Sequence, residues 1–71
     1  MTGRELQKIR RELCGMYTAT WGRALGYLGA DATVASAIRR LEARRDNVPE
    51  TTARLARMFE RHGIPRGWDR T

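Results

Sequence analysis

The chain has 71 residues, room for one small domain at most. Hydrophobic residues make up 41% and charged residues 31%, the balance of a folded domain rather than a disordered tail. Fourteen lysines and arginines against eight acids give a formal net charge of +6. That excludes a mimic of DNA and favours a polyanionic partner, either nucleic acid or an acidic membrane surface.

Lys8 is the only lysine, so nearly all the positive charge is arginine. Arginine forks match phosphates and guanine edges, which suits nucleic acid. GC-rich codon usage produces the same bias. A single cysteine, Cys14, cannot form an internal disulfide and points to a reducing compartment. No apolar run reaches membrane-spanning length, and the N-terminus shows no signal-peptide core. A cytoplasmic protein with no membrane partner is expected.

In chain order, Thr2 to Leu13 reads as a first helix. Leu6, Ile9 and Leu13 form one stripe, Thr2 with Glu5 has capping-box spacing, and Gly15 closes the segment. Thr18 to Tyr27 reads as a second helix capped by Thr18, with Trp21, Ala24, Leu25 and Leu28 on its apolar face. Gly22 within it costs about 1 kcal/mol relative to Ala, and the close approach of a neighbouring helix is the expected reason. "YLGADA" reads as a turn. A third helix starts at Asp31 or Thr33, both good caps, runs to about Arg44 and buries Val34, Ile38 and Leu41. After the loop "RRDNVP", Pro49 can open a fourth helix, Glu50 to His62, with Ala53, Leu55, Ala56, Met58 and Phe59 inward and Gly63 as its stop. The expected fold class is all-α, a compact bundle of four to five short helices. Residues 1–62 would form the domain and residues 63–71 a tail with Ile64 and Trp68 as anchors.

"AIRRLEARR", residues 37–45, holds four arginines in nine residues. On a helical wheel Val34, Ile38, Leu41 and Arg45 share one side. Thr33, Ser36, Arg40 and Arg44 share another, and Arg39 flanks them. Small residues come first and long arginines follow. A major groove admits such a helix. Base edges would then be met by Ser36, Arg39 and Arg40, and phosphates by Arg44 and Arg45. The plain alternative is a solvated arginine face.

The ordered set "LQKIRREL", "GMYTATWGRALGY", "AIRRLE" and "VPETTARLARMF" resembles the helix-turn-helix domains of Cro and the phage repressors, the XRE family. The resemblance covers about residues 3 to 62. It implies a lambda-repressor-like fold and a sequence-specific DNA-binding regulator. It also implies an ion pair between Arg10 of the first helix and Glu42 at the end of the recognition helix. Base readout would fall on Ala35, Ser36, Arg39 and Arg40. Phosphates would be met by Tyr17, Thr18 and Thr20 at the start of the second helix, and by Arg44, Arg45 and Asn47 after the third. Dimer contacts in the family commonly come from the C-terminal part, here Phe59, Ile64 and Trp68. The chain departs from the pattern at Thr18, where a glutamine is usual, at Trp21 and Gly22, and in a segment from Gly26 to Ile38 that is several residues too long.

No metal or catalytic constellation is evident. His62 and Cys14 stand alone, and no phosphate loop or serine elbow occurs. No cofactor, no small-molecule ligand and no enzymatic activity are expected. The readings in competition are a homodimeric repressor or autoregulator of a phage, mobile-element or bacterial operon on an inverted-repeat, double-stranded operator; the same scaffold used as a protein-interaction module; and a helical RNA binder.

Overall fold

The computed structural model describes residues 1–15 and 17–65. Among them are four helices and no strand: α1 (Gly3–Leu13), α2 (Thr18–Ala24), α3 (Asp31–Glu42) and α4 (Glu50–His62). The fold is an all-α bundle. None of its helices is long and apolar enough to cross a membrane.

α1 begins as its sequence indicates. Thr2 Oγ1 accepts from the Glu5 amide at 3.3 Å and donates to the Glu5 carboxylate at 3.4 Å, so one orphan donor of the first turn is satisfied. Leu6 and Ile9 are buried, and Leu13 is half-buried against them. The α4 boundaries also match the sequence, although Pro49 occupies the cap position and not the first helical one.

α2 starts at Thr18 as expected, with Tyr17 and not Thr18 in the cap position. The helix stops at Ala24, three residues early, because Gly26 at φ 97° turns the chain out. The Tyr27 amide donates to the Gly22 carbonyl and the Gly26 amide to the Arg23 carbonyl, each at 3.0 Å, the paired bonds of a Schellman stop. Leu28 therefore leaves the apolar stripe and is 90% exposed, while Tyr27 packs against the core in its place.

α3 starts at Asp31 and ends at Glu42, short of Arg44, and neither Asp31 nor Thr33 caps it; Ala30 holds that position without a side-chain bond. Val34, Ile38 and Leu41 are buried as their spacing indicates. On α4 the inward face is Thr52, Ala53, Ala56 and Phe59. Leu55 is half-buried and Met58 is exposed. Met58 thus leaves the expected inward set and Thr52 joins the buried one, because Thr52, Ala53, Ala56 and Phe59 lie at i, i+1, i+4 and i+7 on one helical face and Met58 falls outside it.

The core joins Leu6 and Ile9 of α1, Trp21 and Leu25 of α2, Ile38 and Leu41 of α3, Val48, and Ala53, Ala56 and Phe59 of α4. Fully burying a large apolar side chain contributes about 1.5–3 kcal/mol, so Trp21, Leu6, Ile38 and Val34, all under 2% exposed, are its anchors. Trp21 meets Phe59 edge-on, with centroids 6.1 Å apart. Gly22 lies where α2 touches α3. A Cβ there would collide with Val34 Cγ1 and lie 2.9 Å from Ile38 Cγ1. The reason expected for a glycine inside this helix is the one observed.

Candidate nucleic-acid interface

The face in question is built outward from α3. With Val34, Ile38 and Leu41 facing the core, helical geometry turns Ser36, Arg39 and Arg40 to solvent, and all three are exposed. Ala35 is half-buried toward α2. Two devices fix the attitude of this helix. One is the contact at Gly22. The other is the pair expected between Arg10 and Glu42, which is present and bidentate: Arg10 Nε donates to Glu42 Oε2 at 2.7 Å and Nη2 to Oε1 at 3.1 Å. Their side chains are only 10% and 7% exposed. A third guanidinium nitrogen, Nη1, donates to the Gly15 carbonyl at 2.6 Å. A single arginine thus ties the end of α3 and the turn before α2 to α1.

The lengthened segment between α2 and α3 is a six-residue turn, residues 25–30, against the three or four usual in a helix-turn-helix. Arg23 holds it. Its guanidinium pairs with the Asp31 carboxylate and donates to the Gly29 carbonyl at 2.8 Å. Arg23 is absent from the sequence-derived site residues, and this bracing is its observed role.

Apart from Asn47, the expected DNA-contacting residues line three hollows. Tyr17, Thr18, Thr20, Ala35 and Arg39 line one between α2 and α3, with Arg23 and Asp31 at its edge. Ser36 and Arg40 share a second with Thr33. Arg44 and Arg45 line a third with Thr2 and Arg4. The loop carrying them is stitched to the start of α1, where the Gly3 amide donates to the Arg44 carbonyl at 3.2 Å and Thr2 and Asn47 form an antiparallel bridge. Arg44 is also engaged by a side chain, donating from Nε to Asp46 Oδ1 at 3.1 Å. The Arg44 guanidinium holds the Asp46 carboxyl below its ordinary range, chiefly through that hydrogen bond.

Two arginines of α1 were not singled out by sequence. Arg4 lies beside Arg44 and Arg45, and Arg11 shares a hollow with Thr18 and Arg39. The signal for Arg11 is present only once Arg10 is set against Glu42, since its neighbour then borders the same seam.

The proposed dimer residues fare differently. Phe59 is 6% exposed and packed on Trp21 within the domain core, which leaves it little surface for a second copy. Ile64 is half-buried against the same core. Trp68 lies outside the described residues. Among the described residues no group of three His, Cys, Asp or Glu side chains could hold a metal ion. Cys14 is half-buried, and that burial pushes its thiol above the ordinary range, with the charge of Arg10 pulling back. No protein-family model, no curated protein and no solved structure matches the chain.

Proposed function

We propose that the chain is a sequence-specific, double-stranded-DNA-binding regulator of the helix-turn-helix type, acting in the cytoplasm as a homodimeric repressor or autoregulator of a phage, mobile-element or bacterial operon. The observation that carries this reading is the braced attitude of α3. Its apolar face is buried, Ser36 and Arg40 face solvent beside Arg39, and Arg10 and Glu42 form the ion pair that the resemblance to the Cro and phage-repressor family implies. The net charge of +6 agrees with a duplex partner. On this reading Ser36 and Arg40 meet base edges, and Arg44 and Arg45 meet phosphates.

The test is selection of duplexes from a random pool by the purified chain, followed by a salt titration on the winner. Recovery of an inverted repeat, with affinity falling steeply as salt rises, is the expected result. Sedimentation equilibrium with that duplex reports whether two copies bind per repeat. A pool that yields no preferred sequence removes the reading.

One observation favours a second reading, the same scaffold used to bind a protein. Leu28 stands 90% exposed on the lengthened turn between α2 and α3. A protein partner would bury Leu28, and Leu28→Ser would then abolish capture of that partner while leaving the fold intact.

A further inference from the structure

The hollow at the C-terminal end of α1 is lined by Arg10, Arg11, Gly15, Thr18 and Arg39, and no carboxylate lines it. Arg10 is neutralised by Glu42. Arg11 and Arg39 are not: each is exposed, and neither forms an ion pair among the described residues. They arrive from different helices, so no single stretch of sequence displays the pair. The hollows elsewhere that hold two or more arginines each hold a carboxylate as well: Arg23 and Arg39 share theirs with Asp31, Arg44 and Arg45 share theirs with Glu42, Arg44 also being held by Asp46, and Arg54, Arg57 and Arg61 share theirs with Glu60. Two guanidiniums without a carboxylate partner line this one hollow, so a single anion there is within the reach of forks from two helices. Guanidinium forks bind phosphate oxygens with charge-assisted hydrogen bonds. The hollow measures about 610 Å³ and is open to solvent, which leaves room for a phosphodiester with its adjoining sugars.

We propose that this hollow is a phosphate cleft in which Arg11 and Arg39 clamp one backbone phosphodiester of the duplex, so that Arg39 positions the protein and does not read a base. The proposal rests on the DNA-binding reading and refines it. Base readout then narrows to the face that carries Ser36 and Arg40. The position of the clamp is set by Arg10, whose bonds to Glu42 and to the Gly15 carbonyl fix both walls of the hollow.

Two arms test the clamp. In the first, inorganic phosphate is titrated into the free chain at constant ionic strength while the arginine Nε–H signals are followed by NMR. Arg11 and Arg39 should shift together, and Arg11→Ala should remove the Arg39 response. Uniform shifts of every exposed arginine would overturn the cleft. In the second arm, Arg11→Ala and Arg39→Ala are compared on the selected duplex. Each should lower the salt slope by about one phosphate, and the double variant should lower it no further. The base preference should stay unchanged. An Arg39→Ala variant that relaxes base choice at one position would return Arg39 to the readers and overturn the clamp. Phosphate binding without any change in duplex salt slope would assign the cleft to a free phosphate group and overturn its role on DNA. A pool without a preferred duplex, beside a positive phosphate titration, would remove the DNA reading and retain the cleft.

Discussion

Adding one carbon to Gly22 sets two preferences against each other. Alanine is the better helix former by about 1 kcal/mol. Its methyl group would enter the space of Val34 Cγ1 and Ile38 Cγ1, which belong to fully buried, β-branched side chains with little freedom to rotate. Overpacking of this kind costs about 1–3 kcal/mol, so the clash wins. Gly22→Ala should lower the melting temperature by several degrees, since about 1 kcal/mol corresponds to roughly 4–8 °C in a domain of this size. A thermal unfolding curve with unchanged or raised midpoint would mean that α2 and α3 stand further apart. Cys14 offers a second check on burial. Its thiol is raised by desolvation, so the reactive thiolate is scarcer at neutral pH than in an exposed cysteine. Alkylation of the native chain should be slower than in denaturant at neutral pH, and should climb only as pH passes above the ordinary thiol range. Equal rates would contradict the burial.

At the scale of elements, the decisive link is the one between α1 and α3. Removing one partner of a buried, bidentate ion pair leaves the other charged and unpaired, which costs about 3–5 kcal/mol. Glu42→Ala and Arg10→Ala should each cost most of the stability of so small a domain, measured by denaturant unfolding. Arg10→Met with Glu42→Leu should recover much of it, because no charge is then stranded. Recovery of folding without recovery of duplex binding would separate the scaffold from the face it presents. This link was legible in the sequence because the order of helices around Arg10 and Glu42 resembles a known domain. The α1 cap at Thr2, the α4 span and the Val34, Ile38 and Leu41 stripe were legible for a simpler reason: each depends on residues within a few positions. The end of α2 was not, because Leu28 continues the spacing of Trp21 and Leu25, and only the Schellman stop at Gly26 shows that the helix ends first. Arg39 was legible as an exposed arginine but not as a neighbour of Arg11, since that juxtaposition depends on where α1 lies in space.

For the whole molecule, positive charge is spread over much of the surface, and its distribution decides what each arginine does on a polyanion. Arg40 has no acid in its hollow and sits beside Ser36 on the outer face of α3. Arg40→Ala should weaken the selected duplex by roughly 1–3 kcal/mol and relax base choice at one position. Arg44 belongs to the other class, and its charge is shared with Asp46. A phosphate arriving at Arg44 must compete with that carboxylate, which stays ionised well into acid because Arg44 holds its proton affinity low. Asp46→Asn removes the competitor and keeps the shape. The variant should bind every duplex more tightly, by a similar factor for cognate and non-cognate sequences, and should steepen the salt dependence, since one more arginine is free to displace counterions. Salt titrations of Asp46→Asn on a cognate and a scrambled duplex decide the matter. A gain confined to the cognate sequence would place Arg44 among the base readers, and no gain at all would place the α3–α4 loop away from the DNA.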